Sequence, residues 1–175
     1  MKKLLLIGVL FTTIIISFVG MSLGQGNTKD IDMKITPQVD IFLGKKLYIP
    51  KEYKNGYTTI VHPIIYEDRV YLSIKDISHM LGLGLDYDYK GKKILYSNES
   101  CIIETIEIKE DKEPYMDLDM KVYLNKEEVN SCDKGKDYGP IVYKGKIYIP
   151  IRYICEKAEK NVFWNGEKNR IVIDK

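Results

Sequence analysis

The side chains best suited to chemistry in this 175-residue chain are two histidines, three cysteines and one short run of alternating carboxylates. His62 precedes Pro63 at the start of an expected strand, and His79 falls beside Ser78 on an expected helix. A zinc or copper ion needs three or four converging donors, and nothing in this spacing brings the two imidazoles together. Cys101, Cys132 and Cys155 are widely spaced and odd in number, which fits neither a disulfide framework nor a paired Cys-x-x-Cys metal site. At most one bridge can close within the chain. Cys155 shares an expected helix face with Ile151 and Ile154, where a thiol behaves as a small buried hydrophobe. Asp86 and Asp88 could pair as general acid and base, but they flank Tyr87 on an expected strand with Lys92 and Lys93 across the turn. That is the pattern of a solvated strand face. No G-x-S-x-G elbow, H-E-x-x-H helix or phosphate-binding loop occurs. The expectation is therefore no catalytic residue, no metal ligand and no cofactor.

Tyrosine is the other notable type, with 14 in the chain. Tyr48, Tyr53 and Tyr57 surround an expected exposed loop and form a candidate binding platform, because aromatic rings present large area at low entropic cost to sugars or protein partners. Tyrosine is also a favoured strand residue, which is the competing reading.

Charge narrows the partners. The chain holds 27 basic and 25 acidic residues, and the excess lies in Lys2 and Lys3, because the first 24 residues contain no Asp or Glu. A chain without them is neutral, with no basic surface to displace counterions from phosphates, so nucleic acid is not an expected partner. Residues 1–24 have a signal peptide's layout: Lys2-Lys3, an apolar run from Leu4 to Val19, then Gly20, Ser22 and Gly24. Cleavage after Gly24 would leave Gln25 first. An uncleaved membrane anchor is the alternative, since Leu4 to Leu23 gives about 20 residues, enough to span a bilayer. The expected location is outside the cytoplasm, secreted or at the cell envelope.

The elements that must position these side chains are organised by an internal match. Pro63 to Tyr96 aligns without gaps on Pro140 to Ile173, so that Tyr66 meets Tyr143, Tyr71 meets Tyr148, Ile74 meets Ile151 and Ile77 meets Ile154. Upstream, Asp40-Ile41-Phe42-Leu43-Gly44 matches Lys121-Val122-Tyr123-Leu124-Asn125. Each unit reads as a leading strand, a hairpin, a helix and a closing hairpin. Glu67-Asp68 and Lys144-Gly145 are the turns of the first hairpins. Ser73 with Asp76 three residues on caps the first helix, and Gly82 ends it. Pro150 opens the second, whose stripe of Ile151, Ile154, Cys155 and Ala158 spans about three turns. The expected fold is α+β: tandem β-β-α-β-β units, each with a curved antiparallel sheet packed on its own helix. The boundaries are a linker over 25–36, a first unit over 37–112 and a second over 113–175. A linking strand is expected over Ile102 to Ile108, then a solvated charged run from Lys109 to Glu113. The expected core includes Tyr71, Ile74, Ile77, Tyr148, Ile151, Ile154 and Trp164.

The second unit, with Tyr143-Lys144-Gly145-Lys146-Ile147-Tyr148-Ile149-Pro150-Ile151-Arg152 running into a helix, then Val162-Phe163-Trp164-Asn165 and a last Ile171-Val172-Ile173 strand, resembles the copper amine oxidase N-terminal domain family, also called stalk domains. The resemblance covers roughly residues 37–173. The first unit departs from it, with Ser73 for the proline, Lys75 for the arginine and Tyr87 for the tryptophan. The resemblance implies an exported, non-catalytic module, common in Gram-positive bacteria, with sheet wrapped on a helix. It implies no copper here, because the oxidase holds its metal in another domain, by three histidines and beside a tyrosine in an Asn-Tyr-Asp/Glu context. This chain has two histidines, and Asp86-Tyr87-Asp88-Tyr89 places Asp where that context needs Asn. The expected function is a structural or binding module engaging cell-wall polysaccharide, an envelope protein or itself. The alternative is a secreted glycan hydrolase with a carboxylate pair in a cleft between the units.

Overall fold

The protein is seen in a computed structural model, which describes residues 26–35, 39–54, 56–99, 106, 108 and 113–174. The expected signal segment, Cys101, most of the expected strand at 102–108 and residues 109–112 of the charged run lie outside the described residues. Among the described residues no helix is long and apolar enough to cross a membrane.

The chain is mostly β with two helices, an α+β fold. The first half runs β1 (Thr28–Asp30), β2 (Lys34–Ile35), β3 (Asp40–Leu43), β4 (Lys46–Tyr48), β5 (Lys51–Lys54), β6 (Tyr57–Ile60), β7 (Ile64–Tyr66), β8 (Arg69–Ser73), α1 (Ile74–Leu81), β9 (Gly84–Asp88) and β10 (Lys93–Ser97). The second runs β11 (Tyr115–Asp117), β12 (Lys121–Leu124), β13 (Glu127–Glu128), β14 (Cys132–Asp133), β15 (Lys136–Asp137), β16 (Ile141–Tyr143), β17 (Lys146–Pro150), α2 (Ile151–Lys157), β18 (Asn161–Asn165) and β19 (Arg170–Asp174). From β2 and from β11 onward the two halves pass through the same order of elements.

Local chemistry explains these elements. The turns at Glu67-Asp68 and Lys144-Gly145 hold both central residues at positive φ, 47° and 59° in one and 48° and 69° in the other. That is the mirror-image turn whose twist suits a hairpin. The Ser73 hydroxyl accepts the Asp76 amide at 3.1 Å, and Gly82 at φ 67° lets the Leu83 amide close on the Ser78 carbonyl at 2.9 Å. In α1 the buried stripe is Ile74, Ile77 and Met80, with Leu81 only partly covered. Helix α2 stops at Lys157, one residue short of the end of its apolar stripe, and Ala158 is its C-cap.

Tertiary pairing departs from the sequence expectation. A seven-stranded sheet runs β1-β11-β16-β17-β8-β7-β2, so β8 and β17 join the halves at its centre. Two four-stranded sheets flank it, β13-β12-β10-β9 and β18-β19-β3-β4. In the first, β12 of the second half pairs parallel with β10 of the first, Ile94 opposite Val122. In the second, β3 of the first half pairs parallel with β19 of the second, Ile41 opposite Ile171. Each half's leading strand thus completes the other half's sheet, and neither sheet is purely antiparallel or confined to one unit. The sequence match could not foresee this, because Ile41 and Val122 alternate alike and offer either edge the same apolar face. The stretch expected as a linker contributes β1 and β2, paired with β11 and β7.

Alternation along β8 and β17 puts Leu72, Ile147 and Ile149 on one face of the central sheet and Tyr71 and Tyr148 on the other. The first face carries the main core, to which both helices and both halves contribute, including Ile41, Ile77, Ile94, Ile154 and Ile171. The second face holds a smaller cluster of Ile64, Tyr71, Met116, Ile141 and Tyr148. Tyr71, Ile74, Ile77, Tyr148, Ile151 and Ile154 are all buried. Trp164, expected with them, is not: it is 45% exposed. Its strand, β18, is the outermost of its sheet, and Val162 takes the buried place on the same face. A two-turn helix covers Val162 but not a residue about 6.6 Å further along the strand.

Candidate functional site

Of the three tyrosines expected to make one platform, Tyr48 is turned into the core and Tyr57 to solvent. Tyr48 is half-buried against the main core, and its hydroxyl donates to the Asp76 carbonyl at 3.0 Å. Burial, followed by the Asp76 charge, pushes that hydroxyl up to about 12. Tyr57 is 77% exposed on the tip side of the β5–β6 hairpin, while the Tyr53 side chain lies outside what is described. Tyr48 is a packing residue and offers a partner little open ring surface.

A groove of about 440 Å³ lies where the halves meet, within the range of about 300 to 1,000 Å³ usual for small-molecule sites. Its floor is apolar, made by Val70 of β8, Ile151 of α2, Val162 of β18 and Ile171 of β19. Arg69 and Asp133 form a fixed wall. The Arg69 guanidinium sits 3.6 Å over the Tyr138 ring, its Nε donates to the Tyr153 hydroxyl at 3.3 Å, and its Nη2 is ion-paired with Asp133. These contacts pin the β14–β15 hairpin against β8, and they leave Arg69 little to offer a ligand. Arg152 and Glu156 line the groove from α2, bonded to each other at 3.4 Å one helical turn apart.

Trp164 completes the lining. A Cβ placed on Gly166 would come within 3.3 Å of its indole Nε1, so the ring lies against the bare backbone of the turn that follows β18. The residue expected to stabilise the core is instead the largest aromatic surface in the groove. Arg69, Asp133 and Glu156 carried no sequence signal, because their convergence depends on strands far apart in the chain. Arg152 was visible only within the Ile-Pro-Ile-Arg run.

The remaining candidates are scattered. Asp86 is exposed. Asp88 Oδ1 accepts the amides of Lys90 and Gly91, each at 3.0 Å, and the Gly91 bond leads in holding its carboxyl below the ordinary range. Asp88 closes a turn. Tyr87 packs its ring edge against Tyr89 at 4.8 Å and is half-buried at the core margin. His62 and His79 are both exposed, one before β7 and one in α1. Among the described residues no group of three His, Cys, Asp or Glu is placed to hold a metal ion. The donor set does not fit a copper centre. Cys132 is exposed and Cys155 buried, and neither is bridged among the described residues.

The family model for the copper amine oxidase N-terminal domain matches residues 51–173. Comparisons with curated proteins and with solved structures give no match.

Proposed function

The chain belongs to the copper amine oxidase N-terminal domain family, and from that premise we propose an exported, non-catalytic binding module, secreted or held at the cell envelope. Its fold is read as one unit duplicated in tandem, with the leading strands exchanged. The shared order of elements and the two equivalent parallel pairings support that reading. The binding partner is a cell-wall polymer or an envelope protein.

The observation that carries the binding role is the groove between the halves, with an apolar floor and a half-exposed tryptophan. Its polar groups are set for holding rather than for proton transfer. A glycan hydrolase needs one carboxyl group that delivers a proton, whereas Asp133 and Glu156 each accept from an arginine and Asp68 is exposed in the β7–β8 turn. The hydrolase reading is therefore the weaker of the two. Export is supported by the layout of residues 1–24.

Co-sedimentation of residues 25–175 with purified cell-wall sacculi tests the reading, with and without added salt and before and after the secondary polymers are stripped. Binding that survives salt is expected. Failure to sediment with any wall preparation would withdraw the wall polymer and leave an envelope protein as the partner to seek.

A further inference from the structure

We propose that the groove takes an uncharged saccharide, with one pyranose ring stacked on Trp164 and its hydroxyls held by Arg152, Glu156 and Asp68. The proposal rests on the binding-module reading above and supplies the ligand class.

Stacking comes first. A pyranose has one face of C–H groups and a rim of hydroxyls, so it needs an apolar plate bordered by planar hydrogen-bonding groups. Trp164 supplies the plate, 45% exposed, with its pyrrole edge against Gly166. Val162 and Ile171 continue the apolar surface beneath it. The fork of Arg152 and the carboxylate of Glu156 come from one helix, and each can address two neighbouring hydroxyls at once. Both side chains are about half exposed and so remain open to a ligand.

Charge then selects among saccharides. The lining holds three carboxylates, Asp68, Asp133 and Glu156, against two guanidiniums, Arg69 and Arg152. Arg69 is committed to Asp133, Tyr138 and Tyr153, so the sole guanidinium that faces a ligand is already bonded to Glu156. A phosphate-rich or uronic polymer would bring negative charge to a lining with an excess of carboxylates and no uncommitted positive partner, and like charges repel. An uncharged ring avoids that cost.

Trp164 is the single tryptophan of the chain, so its fluorescence reports on this groove. Titration of residues 25–175 with chitotetraose, cellotetraose and mannotetraose is expected to give a saturable change in emission with at least one of them. The affinity should be nearly constant from about 0.05 to 0.5 M salt, since no ion pair forms with the ligand. By calorimetry, Trp164→Ala should weaken binding at least about tenfold while the variant still unfolds in one cooperative transition, and Trp164→Tyr should restore part of the affinity. Arg152→Ala should weaken binding with the emission response still present. No response to any of the three sugars overturns the proposal. So does binding that Trp164→Ala leaves intact, or a response confined to a polyanion such as polyglutamate or to an oligolysine peptide. Sedimentation with sacculi that persists without any sugar response would sink this inference alone. Sugar binding without sedimentation would sink the wall reading alone.

Discussion

Ile41→Ala tests the exchange of strands between the halves. Ile41 belongs to the N-terminal half, yet it is 1% exposed beside Ile171 on β19, within the core that includes Val162 and Ile173. Truncating a fully buried isoleucine costs about 2 to 5 kcal/mol, by lost transfer energy and by the cavity left behind. We take about 3 kcal/mol, because its paired neighbours Ile171 and Tyr48 come from two different strands fixed in the sheet and collapse poorly. With a urea m-value of about 2 kcal/mol/M, the unfolding midpoint should fall by about 1.5 M. Trp164 lies on β18, across β19 from β3, and its fluorescence reads the C-terminal half, while far-UV circular dichroism reads the whole chain. Both transitions should shift together and coincide. If the tryptophan transition stays at the wild-type midpoint while the dichroism moves, β3 does not pair with β19 and the interlocked topology is wrong.

Ser73→Ala removes the cap of α1 and should cost about 1 kcal/mol, seen as a lower melting temperature with little loss of helix signal. Asp76→Asn should stabilise the protein at pH 7. The Asp76 carboxyl is 3% exposed, and desolvation, the leading effect, raises its pKa above the usual value. A raised carboxyl stabilises fully below its unfolded pKa and loses that contribution as pH climbs through the folded value. Wild-type stability relative to Asp76→Asn should therefore fall from acid pH toward neutrality, leaving the variant the more stable at pH 7, and a relative stability that rises over that range would refute it. On the alkaline side, burial raises the Cys155 thiol to about 12 and also raises Tyr71 and Tyr96. Folded protein keeps these protons while unfolded chain releases them, so the melting temperature should fall from about pH 9 upward. At pH 8, peptide mapping after a thiol reagent should find Cys132 labelled in the native protein and Cys155 only after unfolding.

Much of the fold was legible along the chain because the relevant physics is local. Glu67-Asp68 and Lys144-Gly145 sit at positive φ because the two-residue hairpin demands it. Ser73, Asp76 and Gly82 delimit α1 with the bonds their types suggest. The alternation of Ile147, Tyr148 and Ile149 assigned opposite faces to neighbours, as period two requires. The candidate site was less legible. Tyr48 looked like a surface ring because its spacing matched a loop, yet its hydroxyl reaches the carbonyl of Asp76, 28 residues away. Trp164 looked like core because it alternates with Val162, and alternation tells which face a residue takes but not how far along the strand the covering helix extends.

The amino-acid sequence by itself determined the two helices, the hairpins before and after each, their turns and the inward side of those strands, since these follow from neighbours a few residues apart; β1, β2, β5, β6, β14 and β15 were not legible in it. Tertiary structure alone decided that β3 completes the sheet of β19 and β12 that of β10. It also decided that Trp164 stays half open and that Arg69, Asp133, Arg152 and Glu156 meet around one groove. Strands of equal apolar pattern are interchangeable in one dimension; only the closing of the main core on both sides of the shared central sheet distinguishes their partners.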